Sequence, residues 1–187
     1  MLRKKWVLCL SLLLSVYVSG CSNSNLDTYT GDVLRISVIG DTPDVSEENI
    51  SFSNAEFSDL EDEDGSLELQ GDALFIMPEN LVEASDDKYI DHYNKLEIPV
   101  FFIGTTKTHA PFVFDNINYE DAREVFPKSY AAGYLYHSEN ELGEHWIFSG
   151  EDEEELNENE IKNIYSDIFR TINNINKIIS TEKGYQS

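Results

Sequence analysis

Residues 73–103 read ALFIMPENLVEASDDKYIDHYNKLEIPVFFI, and this stretch decides the fold. Two runs, 73–77 (ALFIM) and 98–103 (IPVFFI), are too short and too apolar for amphipathic helices. They have the form of strands buried on both faces, the first closed by Pro78 and the second by Gly104. Between them Ser85 stands where a helix cap is expected, with Asp86 and Asp87 in the first turn, where carboxylates suit the helix dipole. Tyr89, Ile90, Tyr93 and Leu96 then recur at helical spacing. Strand, helix and strand within about 30 residues form a βαβ unit with an expected right-handed crossover.

Working outward, residues 33–39 (VLRISVI) predict a first strand, stopped by Gly40-Asp41-Thr42-Pro43. Residues 50–57 (ISFSNAEF) alternate as a second strand. Residues 118–125 (NYEDAREV) predict a short helix ended by Pro127. Residues 129–137 (SYAAGYLYH) and 144–148 (EHWIF) predict a hairpin. Asn157 with Glu160 three places on is capping-box-like. It opens a long helix whose apolar face carries Ile161, Ile164, Tyr165, Ile168, Ile172, Ile175 and Ile179. The expected architecture is one α/β domain of Rossmann-like or flavodoxin-like, three-layer character over residues 32–182. It has parallel central strands, helices on both faces, an antiparallel hairpin near the C-terminal edge and a long C-terminal amphipathic helix, with 183–187 as a tail.

The N-terminal 21 residues carry an address. Arg3, Lys4 and Lys5 precede an apolar run of 13 residues, 6–18, interrupted only by Ser11 and Ser15. A helix of that length covers about 20 Å, short of a ~30 Å hydrocarbon core, so cleavage is expected in place of spanning. The run ends in Val18-Ser19-Gly20-Cys21, which resembles the lipobox of bacterial lipoproteins, with Val18 where leucine is commonest. The resemblance implies cleavage between Gly20 and Cys21 and a diacylglyceryl thioether on Cys21. It places the protein on the extracytoplasmic face of a cell membrane, held to the bilayer by the acylated Cys21. Residues 1–20 are then the signal and 21–31 a short flexible tether.

Charge narrows the partners. The chain has 13 Lys+Arg against 36 Asp+Glu, and the three basic residues of the signal leave 10 against 36, a net of −26. Such a surface repels nucleic acid and anionic headgroups, and both are excluded as partners of the folded part. Cationic partners stay open, beside the plainer reading that the charge confers solubility. Of the two cysteines, Cys9 leaves with the signal and Cys21 is modified, so no disulfide and no cysteine-based metal or redox site is expected. The acidic loop 59–65 (DLEDEDG) fits an EF-hand in neither register, since the twelfth position is Gln70 or Gly71.

Candidate chemistry gathers where open α/β sheets bind ligands, beyond the carboxyl ends of the strands. Asp41, Thr42, Glu79, Thr106, Lys107 and His109 occupy three such ends and could hold a small polar ligand. The alternative is that they are ordinary polar loop residues. The Gly-rich phosphate loops and the signatures of Ser hydrolases and zinc proteases are missing, so no cofactor is expected. The leading expectation is a non-catalytic module for a protein or small ligand. The alternative is a hydrolase-like or transferase-like enzyme using Asp41, Glu79 and His109. The hairpin leaves three readings open. His137 and His145 with Glu139, Glu141 and Glu144 could chelate zinc or copper. Tyr134, Tyr136 and Trp146 could form an exposed patch, or the hairpin could be an edge with aromatics packed inward.

Overall fold

A computed structural model describes residues 28–60, 69, 71–124, 128–137, 142–150 and 156–185. The lipobox-like segment, Glu139, Glu141, most of the 59–65 loop and the run 151–155 lie outside the described residues. Strands β1 (Leu34–Ile39), β2 (Ile50–Asn54), β3 (Ala73–Ile76), β4 (Val100–Ile103), β5 (Ser129–His137) and β6 (Leu142–Ser149) form one sheet in the order β2-β1-β3-β4-β5-β6. The first four are mutually parallel, while β4–β5 and β5–β6 are antiparallel. The expected mixed α/β sheet with a C-terminal hairpin is present.

Every residue of β3 and of β4 is buried, which explains why both read as unbroken apolar runs. The pleat sends Phe75, Phe101 and Ile103 to one face. Helix α4 (Glu158–Tyr185) covers that face with Ile164, Tyr165, Ile168, Phe169 and Ile172. Leu74, Ile76, Val100 and Phe102 point to the other, where they meet Leu81, Tyr89, Tyr93 and Phe112. That second layer is built from three single-turn helices, α1 (Leu81–Ala84), α2 (Ile90–Tyr93) and α3 (Ala110–Val113). The result is three layers.

The start of α4 follows the capping-box expectation. Asn157 Oδ1 accepts from the backbone N–H groups of Asn159 and Glu160 at 3.0 and 3.1 Å, and Glu160 Oε2 accepts from Asn157 N at 2.9 Å. The apolar face of α4 also includes Phe169, stacked 6.3 Å from Phe75.

Two helix expectations need correction. Helical structure between β3 and β4 starts with a 3-10 turn at Pro78–Asn80 that leads into α1, and Ser85 closes α1 instead of opening a helix; its hydroxyl donates to Val82 O at 2.8 Å. The cap role falls to Asp86, whose carboxylate accepts from Lys88 N ahead of a 3-10 turn at Asp87–Tyr89 and α2. Residues 118–124 do not form the expected helix. The Lys107 ammonium donates to the carbonyls of Tyr119 and Glu120, acceptors that a continuing helix would need for its own N–H groups. Among the described residues the segment closes at Ala122 N, which donates to Asn118 O at 3.1 Å and to Tyr119 O at 3.3 Å.

Candidate functional site

Strand order reverses direction at β1, whose neighbours β2 and β3 lie on opposite sides, and such a point opens a crevice between the carboxyl ends of β1 and β3. Here that crevice is filled from within. Gly40 takes a φ of +113°, and a Cβ there would sit 2.3 Å from Glu79 Oε1 and 2.6 Å from Asn80 Nδ2. Glu79 Oε1 accepts from Asp41 N at 2.7 Å, and Asn80 Nδ2 donates to Ile39 O at 3.3 Å. Asp41 and Glu79 are therefore brought together, with the Glu79 carboxylate serving as a backbone acceptor. Thr42 is exposed beside them.

The third strand end turns elsewhere. Buried Thr105 accepts from Lys107 N at 3.0 Å and from the Tyr119 hydroxyl at 3.2 Å, while Ser129 Oγ donates to its carbonyl at 2.9 Å. The Lys107 ammonium lies 4.3 Å from the centre of the Tyr119 ring as well as on the two carbonyls. Thr106 is half-buried between these residues in the chain. Lys107 is thus a clamp on loop 118–121.

His109 runs under the sheet on the short-helix side. Its ring stacks 4.4 Å from His145 and 5.7 Å from Tyr134, and its buried Nδ1 has no hydrogen-bond partner. Among the described residues no hydrogen bond or ion pair joins His109 to Asp41 or Glu79. The six candidate residues are divided among three local arrangements. The His109–His145 contact was not legible in the sequence, because it depends on which strand lies next to β4.

Burial, then the neighbouring His145, lowers the pKa of His109 to about 4 from an ordinary value near 6.5. The unfolded chain therefore binds more protons than the native one between these values. The stability tied to a neutral His109 is complete above pH 6.5 and is lost as pH falls toward 4. Replacing His109→Phe should flatten this acid-side loss relative to the native chain. The ring is only half-buried and water screens it, so the expected difference is about 1 kcal/mol, read from urea melts at pH 7 and pH 4.5.

At the hairpin, register separates the two histidines. His137 pairs with Leu142 and His145 with Tyr134, so the pleat puts His137 and His145 on opposite faces. His137 Nε2 lies 3.4 Å from Glu144 Oε1 on the α4 side, and His145 joins His109 on the other. A chelate using both is excluded by geometry. Among the described residues, no group of three or more His, Cys, Asp or Glu side chains is placed to hold a metal. The aromatics pack inward. Tyr134 is buried and donates to Asn94 Oδ1 at 2.9 Å, Tyr136 is partly buried on the same side, and Trp146 stacks 6.3 Å from Phe101.

A concave surface lies beside the Lys107 clamp. Val82, Ser85, Asp86, Asp87, Asn118, Tyr119, Glu120 and Asp121 line an open depression of about 380 Å³. Its floor is tied by Ser85 Oγ, which accepts from Tyr119 N at 3.3 Å. Four acidic residues line it; of the nearby lysines, Lys107 donates to the carbonyls of Tyr119 and Glu120, and the Lys88 ammonium lies 4.5 Å from the centre of the Tyr89 ring. The sequence reading missed this surface. Its only signal was the acidic character of two separate segments, 86–87 and 120–121, which nothing in the sequence joins.

In comparisons with known proteins, the chain matches no family model, no curated protein and no solved structure. Among the described residues no helix is long and apolar enough to cross a membrane.

Proposed function

We propose that this chain is a lipid-anchored, extracytoplasmic binding module whose acidic depression receives a cationic group of a protein or small-molecule partner. The observation that supports it best is the depression itself, where Asp86, Asp87, Glu120 and Asp121 surround a cavity large enough for an amine or guanidinium side chain. Acylation at Cys21 would hold the module at a membrane surface, and its net charge would draw cationic partners toward it. The strand-end residues support binding more than catalysis, because Glu79 and Lys107 are committed to backbone groups and His109 is stacked away from both.

Titration of the mature chain in detergent with a tetralysine peptide tests this reading. Saturable binding should weaken as salt rises, since the Debye length shrinks from about 30 Å at 0.01 M to about 10 Å at 0.1 M. The Glu120→Gln, Asp121→Asn double variant should lose affinity several-fold while leaving the Asp86 cap intact. Unchanged affinity in the double variant would remove the depression from the reading.

A further inference from the structure

We infer that the module rests on the bilayer with its α4 layer inward and its short-helix layer, with the acidic depression, facing away from the membrane. This rests on the lipid-anchor reading and adds to it an orientation.

The first support is where the chain enters the fold. Tyr29 is buried on the α4 side of the sheet, its ring 6.0 Å from Phe169. Its N–H donates to Ser166 Oγ at 3.2 Å, and that hydroxyl donates to the buried Glu47 carboxylate at 2.6 Å. Its own hydroxyl donates to Asp32 O at 2.8 Å. Burial, with Asp32 and Asp72 nearby, pushes this phenol up to about 12, so it stays a donor at physiological pH. Asp32 in turn lies 3.5 Å from the Lys177 ammonium of α4. Tyr29 is therefore a fixed point on the α4 layer.

The second support is reach. Seven residues lie between Cys21 and Tyr29, and the eight chain steps from one to the other span at most about 28 Å. Tyr29 lies between the sheet and α4, so a lead of this length leaves the α4 side of the sheet nearer the bilayer than the short-helix side.

The third support is charge. The described side chains of α4 carry Lys162, Arg170 and Lys177 against Glu158, Glu160 and Asp167, so the helix is balanced. The whole deficit of −26 belongs to the rest of the mature chain. Of all the layers, α4 meets anionic headgroups with least repulsion, and Ile178, 59% exposed, gives it an apolar contact.

The test uses the acylated full-length protein. Cys9 departs with the signal and the Cys21 sulfur is consumed by the thioether, so an introduced cysteine is the single free thiol. A bimane probe is attached at Asn174→Cys on the exposed side of α4 or at Asp91→Cys on the exposed side of α2. Both proteins are reconstituted into vesicles of phosphatidylcholine with one-fifth phosphatidylglycerol and a headgroup-nitroxide lipid. The expected result is flotation of both proteins with the vesicles and several-fold greater quenching at position 174 than at 91. Equal quenching, or the reverse order, in protein that floats would overturn the orientation and leave the anchor standing. Failure of the acylated protein to float would overturn the anchor, and the orientation with it.

Discussion

Truncating Phe75→Ala should cost about 3–5 kcal/mol, a large share of the stability available to a domain of this size. Phe75 is fully buried at the centre of β3, between two parallel neighbours. Its ring meets Phe101 edge-on at 5.6 Å, stacks on Phe169 at 6.3 Å, and lies 6.3 Å from Phe52 and 6.4 Å from Tyr165. One side chain thus joins three strands to α4. Removing it opens a cavity whose walls belong to strands already fixed by their ladders, so little collapse is available, and several aromatic pair contacts are lost with it. The melting temperature should fall by roughly 10 °C. As a control, Val33→Ala, at a side chain 71% exposed ahead of β1, should change stability by no more than about 0.5 kcal/mol. Equal effects from the two substitutions would mean that the aromatic cluster does not carry the core.

Most of the fold was legible, and the reason differs from element to element. β3 and β4 announce themselves because strands buried on both faces cannot tolerate a polar residue, and the chain has few other runs of that kind. α4 is legible because it is long: Ile161 to Ile179 repeat one stripe over several turns, and a side-chain cap marks the start. The single-turn helices were not. Four residues, such as Ala110–Val113 with Pro111 in its first turn, cannot display a 3.6-residue period, and their helicity is fixed by Phe112 seated 3.7 Å from Phe102. Residues 118–125 show the converse. Their propensity is helical, but residues 118–124 make a turn held by the Lys107 ammonium on the Tyr119 and Glu120 carbonyls.

The candidate site was less legible than the fold. The sequence places Asp41 and Glu79 at two strand ends without making those strands neighbours; β1 and β3 do pair, and the two residues meet. It cannot say that Glu79 would accept from a backbone N–H, nor that Lys107 would turn toward Tyr119. It also cannot show that one step of pleat separates His137 from His145, since their closeness across a turn says nothing about faces. The acidic depression depends on Ser85 bonding to Tyr119, a contact between segments 34 residues apart.

The largest functional effect is expected at Cys21. Each buried methylene contributes about 0.8 kcal/mol, so two acyl chains hold a protein stably where a single chain gives only marginal binding. With the proposed cleavage the remaining net charge of −26 opposes an anionic surface, and the balanced α4 face offers weak attraction at most. Substituting Cys21→Ala should therefore move the protein almost wholly from the membrane fraction to the soluble one, while the melting temperature of the domain stays unchanged.

The most direct measurement is metabolic labelling with an alkyne fatty acid in a bacterial host, followed by mass spectrometry of the mature N-terminus in native and Cys21→Ala proteins. The expected result is a diacylglyceryl-modified Cys21 as the first residue of the native protein, with neither label nor membrane association in the variant. An unmodified Cys21, or a variant that stays in the membrane fraction, would contradict the lipid anchor and the orientation built on it.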